Sequence, residues 1–159
     1  MSSIVRKPVP FVPSPIQVVE RMLSLAEVDE GEMVYDLGCG DGRVLFTAAS
    51  RFKANAIGCE IRPPLVKHVR NRIRSLRLDD RIKVLRSDMF TVPLKNADVI
   101  TLYLTTDTLG KLRPKLEAEL KPTARVVCHG FPIPGWTPVH WERFNGHTVY
   151  LYRKPRTQS

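Results

Sequence analysis

Ten residues, VYDLGCGDGR from Val34 to Arg43, limit what this chain can fold into more than any other stretch of it. An apolar run of strand length carries an acid, Asp36, and then breaks into glycines at positions 38, 40 and 42, with Asp41 among them. Arg43 to Phe52 reads as a helix. A strand that turns through glycines into a helix presents backbone N–H groups above the turn, and that geometry favours an anion. It is also the opening unit of a parallel α/β sheet.

The chain continues in the same rhythm. Ser14, Pro15 and Gln17 match an N-cap, a first-turn proline and a capping-box partner, so a helix is expected from Pro15 to about Ala26. Strands are expected at 33–37, 56–60, 82–86, 97–104 and 124–130, and helices at 64–76 and 107–120, the last restarted by Pro114. WERF and HTVYLY are joined by Asn145-Gly146, the strongest short hairpin signal. FPIPGWTP before them, with three prolines and a glycine, leaves no room for a full helix. The expectation is an α/β fold of five parallel strands plus an antiparallel C-terminal hairpin, with the last crossover helix short or missing. At 159 residues it should be a single domain, with 1–9 and 155–159 flexible.

The three cysteines, Cys39, Cys59 and Cys128, are odd in number and far apart. They read as reduced buried residues, and the four scattered histidines show no metal-ligand spacing. No metal is expected. With no apolar run of membrane-spanning length and no secretory leader pattern, a cytoplasmic protein is expected. The net charge of +9 suits nucleic acid, an anionic surface or an acidic partner, and a heat-adapted intracellular protein as well.

The acids around the glycine loop decide between ligands. A pyrophosphate would meet both Asp36 and Asp41, each repulsion being about 1 to 4 kcal/mol, and Arg43 does not fit the G-x-G-x-x-G dinucleotide pattern. A free amino-acid group uses both signs of charge: its carboxylate suits the glycine amides, and its ammonium suits Asp36. Glu60, at the end of the second strand, can accept from both hydroxyls of a ribose. Asp88 follows the third strand, where it can accept from an adenine amino group, with Met89 and Phe90 covering the ring. Amino acid, ribose and base in that order fit S-adenosyl-L-methionine.

On these residues the chain resembles the class I S-adenosylmethionine-dependent methyltransferases, with their Rossmann-like seven-strand sheet. More narrowly, FVPSP (11–15), GCEI (58–61), LRPKLEAELKP (112–122), RVVCHGFPIPGW (125–136) and HTVYLY (147–152) resemble the small archaeal protein-lysine methyltransferases and their mitochondrial animal relatives. The resemblance implies methyl transfer to lysine side chains in a broad range of proteins. It also implies that the segment around Phe11 to Ser14, part of an N-terminal lid and helix spanning 10–31, folds over the cofactor. The implied cofactor-binding set is Phe11, Val12, Ser14, Asp36, Gly38, Gly40, Asp41, Glu60, Ile61, Asp88, Met89 and Phe90. Cys128-His129-Gly130 departs from the family's Ser-His-acid pattern.

Tyr103, at the end of the fourth strand, is the catalytic candidate: its phenol could orient an amine, or it could be a core aromatic. Trp136 could gate a lysine channel or pack beneath the hairpin. Lys67, Arg70, Arg74 and Arg77 step along one helical face, a solvated surface or an anionic docking site. Two rival functions follow from that charge, an RNA methyltransferase and a non-enzymatic nucleic-acid-binding module. Against the first, the fourth strand ends in LYLTT and lacks an Asn-Pro-Pro-aromatic motif. A monomer acting on lysine-containing proteins is the expectation.

Overall fold

The structure, a computed structural model, describes residues 12–155. In chain order these form α1 (Ile16–Leu25), β1 (Met33–Leu37), α2 (Arg43–Arg51), β2 (Asn55–Cys59), α3 (Pro63–Ser75), β3 (Ile82–Leu85), β4 (Val99–Leu102), α4 (Thr106–Glu119), β5 (Arg125–His129), β6 (His140–Phe144) and β7 (His147–Arg153). One seven-stranded sheet runs in the order β3-β2-β1-β4-β5-β7-β6. The first five strands are parallel, and β7 pairs antiparallel with both β5 and β6.

Alternation along the central strands sends side chains to two separate cores. On β5, Val127 joins α1, α2 and α3 on one face, whereas Val126 and Cys128 join Leu109, Leu112 and Leu116 of α4 on the other. The second face is covered by one helix and two irregular segments. Residues 86–98 link β3 to β4 without a helix, and 130–139 do the same between β5 and β6. Val92, Leu94, Ile133 and Trp136 from those segments complete the core there. The expected loss of the last crossover helix is thus observed, and Asn145 and Gly146 take φ of 50° and 79°, the left-handed pair that a tight hairpin turn needs.

Four local expectations are corrected. Ser14 does not cap α1; Pro15 holds the N-cap position and no side chain bonds there. The Ser14 hydroxyl is buried against His129 instead. Pro114 does not restart α4, which runs unbroken through it from a Thr105 cap. β4 is shorter than 97–104, because Ala97 closes a turn onto the Leu94 carbonyl. Arg77 lies beyond the α3 face: with φ of 56° it ends the helix in a Schellman motif, Arg77 N–H donating to Arg74 O and Leu78 N–H to Ile73 O.

Candidate active site

Parallel order places the carboxyl ends of β3, β2, β1, β4 and β5 along one edge, where ligands of such sheets bind. Asp36 is the penultimate residue of β1 and only 7% exposed. Its partner across the sheet is Thr101, whose hydroxyl donates to Asp36 Oδ1 at 2.9 Å. Burial, with Glu60 and Asp41 adding like charge, pushes the Asp36 carboxyl up to about 7 despite that bond. A buried carboxylate with one neutral donor is short of a cation, and an ammonium placed beside it would return it to the ionised form.

The loop above is shaped by backbone. Gly38, Gly40 and Gly42 all have positive φ, 85°, 56° and 82°, and Gly42 is the N-cap of α2. The space over Gly38 is bounded by Met89 and Leu104, whose methyls would lie 3.7 and 4.0 Å from a β-carbon at that position. Glu60, the first residue past β2 and 4% exposed, accepts from the Gly40 N–H through Oε1 and the Arg62 N–H through Oε2, each at 3.0 Å. A carboxylate has about four acceptor sites, so two remain for a diol.

Asp41 sits differently from the expectation. Arg43 grips its carboxylate at 2.6 Å, donates to it again from the backbone and holds it below the usual carboxylate range against the cost of burial. The same guanidinium donates to the Ser14 carbonyl at 3.0 Å. The negative charge facing the loop therefore comes from Asp36 and Glu60, while Asp41 and Arg43 fasten the segment before α1.

Past β3, Asp88 is exposed and uses Oδ1 to accept from the Phe90 N–H at 2.9 Å, and among the described residues Oδ2 has no partner. Met89 is half-buried, and Phe90, Ile61 and Val12 are exposed. Phe11 lies outside the described residues. The free thiols of Cys39, within the loop, and Cys59, at the end of β2, are buried, and burial raises both, Cys59 to about 11, which leaves them uncharged.

At the β4 and β5 ends an aromatic cluster replaces the acids. Tyr103 is 37% exposed and stacks on His129 with ring centroids 3.9 Å apart. His129 Nδ1 meets the Ser14 hydroxyl at 2.8 Å and its Nε2 meets His147 Nδ1 at 2.9 Å. Burial and the neighbouring His147 lower the His129 imidazole to about 4, so it is uncharged at neutral pH. Gly130, at φ of 86°, leaves room for the stack: a β-carbon there would lie 3.2 Å from the Tyr103 ring and press it aside by a few tenths of an ångström. Trp136 is buried, donates to Glu117 at 2.9 Å and packs edge-on against Tyr152. Of its two readings, packing is the one observed.

The family described as the ANTKMT methyltransferase domain matches residues 36–140, from the loop acid to the first residue of β6. The chain belongs to that family. It is an S-adenosylmethionine-dependent methyltransferase. A protein-lysine N-methyltransferase of Saccharolobus islandicus is 44% identical over 91% of this chain and 92% of its own length. The mouse adenine nucleotide translocase lysine N-methyltransferase is 37% identical over 84% of the chain, which spans 58% of that longer protein. Among solved structures, an RNA methyltransferase from Salinibacter ruber in complex with S-adenosyl-L-homocysteine matches with a TM-score of 0.89 and 40% identity, covering 93% of this chain and 97% of that one.

The residues present fit the cofactor: a buried, cation-deficient Asp36, an open slot over Gly38 and spare acceptors on Glu60. When bound, S-adenosylmethionine supplies a methyl group already activated on a sulfonium. What remains for this methyltransferase is positioning, which can supply most of the rate of such a displacement. Two functional contacts escape a reading of the sequence. Thr101 is visible there only as the one polar residue in the buried strand VITL. The Ser14–His129–His147 chain has no local signal, since its members lie 115 and 18 residues apart.

Proposed function

We propose that this methyltransferase modifies lysine side chains of proteins, over a broad range of substrates. The carrying observation is the mouth formed by Tyr103 against uncharged His129. A lysine ammonium has a pKa of about 10.4 in water and must lose a proton before it can accept a methyl group. Within an aromatic mouth beside a neutral imidazole it loses hydration, which lowers that pKa without a strong base. Tyr103 orients the amine through its hydroxyl. Asp36 holds the cofactor's ammonium, the loop around Gly38 and Gly40 its carboxylate, Glu60 its ribose and Asp88 its adenine, with Ile61, Met89 and Phe90 flanking the base. Val12 and Ser14 belong to the covering segment, which Arg43 ties to the loop through the Ser14 carbonyl, and Phe11 is proposed as a further cofactor contact.

The likeness to the archaeal lysine enzyme over nearly its full length supports this reading. The Salinibacter ruber protein, described as an RNA methyltransferase, favours a second one. Labelled cofactor added to a host lysate separates them. Label on lysine as one to three methyl groups in tryptic peptides is the expected result; label confined to RNA would overturn it.

A further inference from the structure

The positive charge of the molecule is concentrated in one place. Residues 62–86 hold nine lysines and arginines against two acids, Asp79 and Asp80, which is seven of the nine net charges of the whole chain. Among the described residues, only Arg62 of these nine has an acidic partner, Glu60, and that contact is long at 4.0 Å. Ordinary surface charge is interspersed with the opposite sign, so a block left this unpaired carries a strong local field.

The block is also shaped. Pro63, Val66, Lys67, Arg70, Asn71, Arg74 and Arg86 line a groove of about 220 Å³ between α3 and the end of β3. Lys67 lies in the first two turns of α3 and Arg86 just past β3, both at the ligand-binding edge of the sheet, and Arg70 and Arg74 continue along the helix away from it. Arg70 is fixed by donating to the Val84 carbonyl at 3.1 Å. The groove is not lined by charge alone: Pro63 and Val66 stand among its cations.

This mixture separates two classes of polyanion. A phosphate backbone needs cations, and single-stranded nucleic acid also needs aromatic side chains on which bases stack; residues 62–86 contain no Phe, Tyr or Trp. A polypeptide offers carboxylates together with apolar side chains, and guanidinium forks bind carboxylates in pairs. We propose that this groove docks an acidic run in the protein substrate and so favours lysines that have such a run nearby. The proposal rests on the lysine reading above. From Lys67 to Arg74 the helix rises about 10 Å, the length of about three extended residues. Three strand spacings of about 4.8 Å separate β4 from β3, which with the width of α3 places the run roughly five to eight residues from the target lysine.

The test uses synthetic peptides with one lysine and a flank of four acidic or four neutral residues at that spacing, on either side, with the full-length enzyme. The expected result is a KM at least tenfold lower for one acidic arrangement at unchanged kcat. Lys67→Gln/Arg74→Gln/Arg86→Gln, all at exposed positions, removes that preference and leaves turnover of the neutral peptide and the melting temperature unchanged. Lysine methylation with no acidic preference would overturn the docking site and leave the lysine reading standing. Methylation of neither peptide would overturn both. Tight binding of single-stranded RNA that the triple substitution abolishes and the acidic peptide does not displace would reassign the groove to nucleic acid.

Discussion

At the β1 and β2 ends, the site is drawn mostly from Asp36 to Arg62, a span of 27 residues in which Glu60 accepts from the Gly40 and Arg62 N–H groups, with Thr101 of β4 as the distant partner of Asp36. At the β4 and β5 ends, Tyr103 depends on His129, and His129 on Ser14 and His147, which come from the two ends of the described chain. The first region is acidic, glycine-shaped and mostly short-range; the second is aromatic, uncharged and long-range. The difference follows from what each must hold. A fixed cofactor can be met by a local loop, whereas an incoming side chain needs a mouth that closes only when distant segments meet.

Breaking the first region should have the largest effect. Asp36→Asn is expected to weaken S-adenosylmethionine binding more than a hundredfold by calorimetry, about 3 kcal/mol, with Tyr103 stacking undisturbed. It also tests the pH dependence. In the folded protein the carboxyl titrates at about 7, against an ordinary value of 3.8. Because the folded pKa is raised, its contribution to stability is full below about 4 and is lost as pH rises through about 7. The ligand-free enzyme should therefore weaken over that window by up to about 4 kcal/mol in chemical denaturation, and Asp36→Asn should remove the slope. Cofactor affinity runs the other way, falling as pH drops below about 7, since a proton competes with the ammonium.

Tyr103→Phe should spare cofactor binding and lower kcat ten- to a hundredfold in single-turnover kinetics, about 1.4 to 2.7 kcal/mol. An unchanged kcat would return Tyr103 to a packing role. Gly58→Ala is a purely structural blow to the first region: a β-carbon there would lie 2.7 Å from Cys39 and Leu45. A loss of about 1 to 3 kcal/mol in thermal unfolding is expected, with cofactor affinity reduced because Cys39 sits inside the loop. The smallest effect belongs to Ser14→Ala. Removing one hydrogen bond from His129 should cost about 1 kcal/mol, read as a modest fall in melting temperature and in kcat together.

The contrast also explains what could be read in the sequence. Strand–glycine–helix spacing, the acids at 36, 60 and 88 and the Asn145-Gly146 turn are local signals, and each stands where the pattern put it. Ser14 carries an equally good local signal for a helix cap and obeys a different partner, because a buried hydroxyl facing an imidazole gains more than one facing an exposed N–H. Asp41 reads in the sequence as a second obstacle to phosphate, yet Arg43, two residues on, neutralises it. Pro114 breaks helices by rule, and tertiary contacts of Leu109, Leu112 and Leu116 carry α4 through it.

The bond from Arg70 to the Val84 carbonyl has a bearing on how the protein behaves when concentrated. β3 is an outer strand, and its unpaired carbonyls would offer a template for a second sheet. One guanidinium occupies that template while its charge repels any copy presenting the same edge. Opening the edge with Arg70→Ala would make light scattering rise with concentration in a protein whose fold is otherwise intact, so colloidal behaviour hangs on a residue outside the cofactor and methyl-transfer sites.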